Sequence, residues 1–166
     1  MEGLNIKQGF KVHIEKGIPP GSGIGSSSAS AAAAVVGVNE LLDKPLKNSE
    51  LLVHGMAGEA VASGGFHADN IAPALFGGII LIRSYEPLDI LNLPVPKNLF
   101  STAVLPDFIV NTMDARRLLP KRVPLKSAVE QAGNLAGFTL GLHESDFDLL
   151  GRSMVALFAE PIRAEL

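Results

Sequence analysis

The sequence predicts an α+β domain with an antiparallel or mixed sheet backed by helices, and three observations carry that prediction. Apolar and polar residues alternate over Phe10–Glu15, a β-rich run fills Gly78–Arg83, and several longer stretches combine helical composition with helix-start residues. No internal repeat and no long linker divides the 166 residues.

In chain order, Phe10, Val12 and Ile14 alternate with Lys11, His13 and Glu15, the period of a strand with one buried face. Lys16–Gly25, KGIPPGSGIG, cannot continue that strand, because Pro19 and Pro20 break regular pairing and three alternate glycines open backbone angles closed to other residues. From Ser26 to Leu42, SSSASAAAAVVGVNELL joins candidate N-cap serines to alanines of high helix propensity, which predicts a helix packed closely against a sheet. Ser49 is the expected cap of a second helix reaching about Ala62, stopped by Ser63-Gly64-Gly65. Gly78–Arg83 predicts a buried strand, Leu88–Asn98 with its two prolines a loop, and Thr102–Leu105 and Phe108–Thr112 two short strands. Helices over about Leu125–Leu142 and Phe147–Ala159, the latter capped by Ser145, complete the pattern.

Hydrophobic residues make up 47% and charged residues 19%, the balance of a chain that folds around its own core. With 14 basic against 17 acidic side chains, a net charge of −3 and no basic stripe, no nucleic acid partner is expected. Cysteine is absent, which excludes disulfide frameworks, thiolate nucleophiles and zinc ribbons and fits a reducing, cytoplasmic setting. The longest uncharged apolar run, Ile71–Ile82, is too short to span a bilayer, so no membrane partner is expected either.

Pro19-Pro20-Gly21-Ser22-Gly23-Ile24-Gly25-Ser26-Ser27 is the most informative stretch. Glycines ahead of a helix N-terminus expose successive N–H groups where the helix dipole adds about half a positive charge, which suits an oligophosphate. Ser26 and Ser27 add hydroxyls able to bond phosphate or reach a phosphate-bridging cation. A Walker A loop requires Lys after its last glycine and a dinucleotide fingerprint a glycine where Ser26 stands, so both are excluded; a plain glycine turn with a serine cap stays open.

Two further clusters carry chemistry. Glu59 lies in an otherwise small and apolar helical stretch, where a carboxylate faces either water or a cation that offsets its desolvation. His67, Asp69 and Asn70 follow within eleven residues; no second His has zinc spacing, and Asp69 is equally suited to cap a short helix toward Ala74. Arg116, Arg117 and Arg163 are either solvated surface charges or carboxylate clamps, for which the guanidinium fork is suited.

PPGSGIGSSSAS resembles the phosphate-binding motif of the GHMP kinases, Pro, a few residues, then Gly-Leu-Gly-Ser-Ser-Ala, with Ile24 in place of Leu. Gly58–Gly78, GExxxSGGFHADNIAPALFGG, is similar to the homoserine kinase version of its region, and Thr112-x-x-Ala-Arg-x-x-Leu-Pro120 and Pro161-x-Arg163 match later segments of that branch. The resemblance implies a GHMP kinase fold, with a ribosomal protein S5 domain 2-like N-terminal part and a ferredoxin-like C-terminal part, incomplete at both ends. It also implies an ATP-binding part over 1–98 and a C-terminal part over 99–166.

By the same likeness Pro19, Pro20, Gly21, Ser22, Gly23, Ile24, Gly25, Ser26 and Ser27 would hold ATP, and Ser27 and Glu59 would hold Mg²⁺. His67, Asp69, Arg116 and Arg163 would face the substrate, with Glu59, Asp69 and Thr112 as the catalytic group. The implied activity is phosphorylation of the side-chain hydroxyl of L-homoserine on the way to threonine, by a cytoplasmic enzyme with a second copy of the chain as partner. A mevalonate-type kinase and a non-catalytic nucleotide-binding domain are the alternatives.

Overall fold

The computed structural model describes residues 9–43, 45–104 and 117–164. They divide into two compact units: one runs up to Pro20 and resumes over Ile24–Leu75, and the other comprises Gly21–Gly23 and the chain from Phe76 onward.

Two helices dominate the first unit, α1 (Ser26–Asn39) and α2 (Asn48–Ser63), with the short α3 (Ile71–Phe76) beginning in it. Alanine propensity explains α1, whose buried residues Ser28, Ala32 and Asn39 recur at helical spacing. α2 buries Leu51, Leu52, Met56 and Glu59 along one face. Its start is fixed by Glu50, whose carboxylate accepts from the Lys47 N–H at 2.9 Å, so Ser49 is inside the helix rather than its cap. Gly64 ends it in the left-handed region at φ 71°.

The alanine-rich helix is expected against a sheet; within the first unit, among the described residues, its partner is α2. Gly55 and Gly58 on α2 are three residues apart and so share a face. A methyl group at Gly58 would stand 3.5 Å from the Ala31 Cβ, and one at Gly55 would meet Val35 at 3.8 Å and Ile71 at 3.2 Å. Small side chains on both partners therefore let the two backbones come close. Burial of Leu52, Met56 and Ile71, each under 2% or at 2% exposure, contributes roughly 1.5–3 kcal/mol per side chain.

In the second unit β1 (Ile79–Tyr85) and β2 (Leu88–Leu93) form an antiparallel hairpin, Ile79 opposite Leu93 and Tyr85 opposite Leu88, with a register shift between Ile82 and Ser84. Arg83 sits at that shift and pairs with Asp89. Beyond lie α4 (Leu125–Glu144), α5 (Phe147–Ser153) and α6 (Glu160–Arg163). α4 and α5 meet at a tight corner, where the Asp146 N–H bonds the Gly141 carbonyl at 3.0 Å and a methyl group at Gly141 would lie 3.0 Å from Leu150 Cγ.

Several expectations change here. Phe10–Glu15 is not a strand: alternation marks a potential face but does not itself supply a neighbour, no strand pairs with it among the described residues, and Val12 and Ile14 are 55% and 51% exposed. Leu88–Asn98 is only partly a loop, since both prolines follow the last strand residue, Leu93, and cost the ladder nothing. β1 is half-buried rather than buried, with one partner strand among the described residues. Thr102–Val104 is irregular, while 105 and Phe108–Thr112 lie outside the described residues. The last long helix stops at Ser153, and its cap is Asp146, whose side chain accepts from the Leu149 N–H at 2.9 Å. Ser145 instead ends α4 at φ 59°. Among the described residues no helix is long and apolar enough to cross a membrane.

Asn39 ties the first unit together, its amide accepting from the Leu46 N–H at 2.7 Å and donating to the Leu46 carbonyl at 3.1 Å. Because both backbone groups lose their partner at once, Asn39→Ala should cost about 2–3 kcal/mol, read as a lower midpoint in urea unfolding.

Candidate active site

The start of α1 sets the geometry. Gly25 precedes the helix at φ 83°, and no side chain caps the first turn. The first intrahelical bond joins the Ala29 N–H to the Gly25 carbonyl at 2.8 Å, so the amides of Ser26, Ser27 and Ser28 lie ahead of the helical ladder, at the positive end of the dipole. The left-handed dihedral favours glycine here, and a Cβ at residue 25 would also crowd the Asn70 side chain, 3.0 Å from its Oδ1. Gly21 and Gly23 have φ 76° and 75°. Pro19, Pro20, Gly21, Gly23 and Ile24 are exposed, and Ser22 is half-buried.

Adjacent serines separate by function. Ser26 is buried and its hydroxyl donates to the Ile18 carbonyl at 2.7 Å, with Lys16 Nζ donating to it at 3.4 Å. That hydroxyl is bonded within the loop, which leaves the Ser26 backbone N–H as its group at the helix start. The Ser27 hydroxyl reaches across to α2 and donates to Glu59 Oε1 at 3.0 Å. Glu59 is 7% exposed, so the expected ligand pair is assembled in a largely dry setting, from residues 32 apart in sequence.

A buried carboxylate and a hydroxyl in the first turn of α1 form a hard-oxygen donor set. Mg²⁺ is bound by one or two carboxylates and fills its remaining positions with water and phosphate oxygens. Among the described residues no group of three or more His, Asp and Glu side chains could hold a metal. A carboxylate and a hydroxyl supply only part of such a cation's oxygen shell, so the pair fits a cation that draws further oxygen ligands from beyond these two side chains.

His67 is half-buried, and Asp69 and Asn70 are exposed, in the turn before α3. Asp69 Oδ1 accepts from the Asn70 N–H at 3.1 Å, while the Ala68 carbonyl takes the first helical bond from Ala72 at 2.8 Å. The approach of Asn70 to Gly25 brings this turn beside the start of α1. Thr112 and Arg116 lie outside the described residues. Arg163 is exposed on α6 in the second unit. Two neighbours escaped the sequence reading, Asn70 against Gly25 and Lys16 at Ser26; a lysine shortly before the glycines was the available signal for the second. A groove of about 640 Å³ in the second unit, with Leu93, Pro94, Leu135 and Leu140 among its walls, is mainly apolar and carries none of this chemistry.

Residues 1–78 match the family model of the GHMP kinases N terminal domain. The chain is 47% identical over 165 residues to a homoserine kinase from Chlorobium phaeobacteroides, covering 99% of the chain and 52% of that relative. It is 46% identical over 167 residues to one from Methanococcus vannielii, covering 100% of the chain and 55% of that relative. The crystal structure of homoserine kinase from Cytophaga hutchinsonii superposes with a TM-score of 0.83 at 45% identity, over 91% of the chain and 48% of that structure. The chain thus spans about half the length of the curated relatives it matches. Residues 1–78 carry the N-terminal domain of the GHMP kinases, and the chain is similar along its whole length to about half of a homoserine kinase.

Proposed function

We propose that the whole protein transfers the ATP γ-phosphoryl group to the side-chain hydroxyl of L-homoserine, with residues 1–98 as the ATP-binding part and 99–166 within the second part. The observation that carries this reading is the Ser27–Glu59 pair in the first turn of a helix whose leading amides have no side-chain cap.

Amides at the start of α1 and along the glycine loop bind phosphate oxygens, and the site presents them in fixed orientation before substrate arrives. Ser27 and Glu59 would hold Mg²⁺, which would supply positive charge against the negative charge that develops in transfer. A bond forms from the homoserine hydroxyl oxygen to the γ-phosphorus as the bond to the bridging oxygen breaks, the hydroxyl proton is released, and ADP leaves. Asp69 holds the substrate α-amino group beside His67, and Arg163, with Arg116, takes its α-carboxylate as a bidentate partner. Thr112 stands next to the reacting groups. A reaction that draws on ATP and a free amino acid places the protein in the cytoplasm.

An ADP-release assay of the complete protein over a panel of hydroxyl acceptors should show turnover with L-homoserine and none with mevalonate. Turnover of mevalonate instead, or ADP binding with no turnover of any acceptor, would overturn the reading. Glu59→Gln keeps the side-chain shape and removes the charge, and should lower kcat about 10²–10³-fold, the scale of losing one preorganised electrostatic contact. Gly25→Ala should destabilise the protein by about 1–2 kcal/mol through its left-handed φ and weaken ADP binding in a calorimetric titration. Gly37→Ala, on the same helix with nothing within 4 Å of the added methyl, should stabilise by up to about 1 kcal/mol and leave ADP affinity unchanged.

A further inference from the structure

Arg163 stands on a helix of four residues, Glu160–Arg163, too short to be held by its own hydrogen bonds. Its two ladder bonds, Arg163 N–H to the Ala159 carbonyl at 3.0 Å and Ala164 N–H to the Glu160 carbonyl at 2.9 Å, fix its internal form but not its place. The irregular segment leading into it, Met154–Ala159, is tied to α4 by two side chains one turn apart. Gln131 Oε1 accepts from the Leu157 N–H at 2.8 Å in a partly buried setting, and Asn134 Nδ2 donates to the Val155 carbonyl at 3.4 Å. At the head of α6, Glu160 Oε2 accepts from the Ala156 N–H at 3.4 Å.

The Gln131 bond is the shortest of these and the only one of the three that is partly buried. Leu157 and Phe158 beside it are half-buried, so the anchored stretch leans on the unit rather than standing in water. Glutamine mid-helix has no capping role and Gln131 faces this segment, which leaves satisfying the Leu157 amide as its visible task. Withdrawing the acceptor would leave that amide unbonded and free the approach to α6.

We propose that Gln131 is a positioning residue for substrate recognition: by pinning Leu157 it fixes where α6 presents the Arg163 guanidinium, and so sets the affinity for an acceptor bearing a carboxylate. The inference rests on the reading of Arg163 as the carboxylate partner of homoserine. Gln131 touches neither substrate; its effect passes through the backbone of residues 157–163.

The test uses steady-state kinetics of the complete protein, with KM for homoserine and for ATP measured separately. Gln131→Leu should raise the homoserine KM by roughly threefold to tenfold, the scale of one disrupted hydrogen bond, with the ATP KM and kcat within about twofold of the parent. Gln131→Glu, which retains an acceptor oxygen for the Leu157 N–H, should restore the parental value. In an Arg163→Ala background Gln131→Leu should add nothing, because the group it positions is gone. Should Gln131→Leu fail to fold, Gln131→Asn, whose shorter side chain withdraws the acceptor, is read in the same way. A homoserine KM raised by Arg163→Ala but unmoved by Gln131→Leu overturns the positioning role and leaves the reading of Arg163 standing. Equal loss toward homoserine and ATP, or full additivity with Arg163→Ala, overturns it as well, and an Arg163→Ala variant with parental homoserine KM overturns the premise along with it.

Discussion

The close approach of α1 and α2 is the constraint on which the candidate site depends. Ser27 and Glu59 come within 3.0 Å only because the helices that carry them pack over Gly55, Gly58 and Ala31, where larger side chains would hold the backbones apart. The same packing buries Glu59, and burial gives the carboxylate its electrostatic reach: the field of a charge in a dry site is screened far less than on the surface. Composition that reads as bland, a run of alanines and two glycines, is therefore the physical origin of the site's charge geometry.

The second unit uses different means. Its corner between α4 and α5 also closes over a glycine, Gly141, but Arg163 sits on a segment with little packing of its own. There the backbone is held by side chains reaching out from a long helix, Gln131 and Asn134. Ser27 and Glu59 stand on 14- and 16-residue helices, and the exposed Arg163 stands on a four-residue helix held from outside. Local stability follows contact density, so the two kinds of group differ in how readily they shift.

What was legible in the sequence was what short-range chemistry decides. The glycine loop, the helices at α1, α2 and α4, and the buried Glu59 follow from residues within a few positions of one another. Phe10–Glu15 shows the limit, since its alternation is real but pairing is a property of two segments. The strand at Leu88–Leu93 was hidden by prolines that stand just beyond it, and the cap of α5 by a one-residue ambiguity between Ser145 and Asp146 that only the backbone resolves. The contacts of Asn70 with Gly25 and of Ser26 with Ile18 join loops to a helix start, and no pattern along the chain encodes such a meeting. Thr112 and Arg116, on which part of the substrate reading rests, lie outside the described residues and so stand on the motif alone.

The three serines after Gly25 show why a motif has to be read through helix geometry. Successive residues on a helix turn by about 100°, so three identical side chains in a row cannot do one job together. Ser26 faces back to the loop and bonds the Ile18 carbonyl; Ser27 faces α2 and bonds Glu59; Ser28, at 1% exposure, faces the core in line with Ala32 and finds no hydrogen-bond partner among the described residues. A hydroxyl is needed at the first two and is a cost at the third, where alanine would fill the same space. The head of α1 thus presents three backbone amides but only one serine hydroxyl aligned with the Glu59 carboxylate, the one on the α2 side of the helix start.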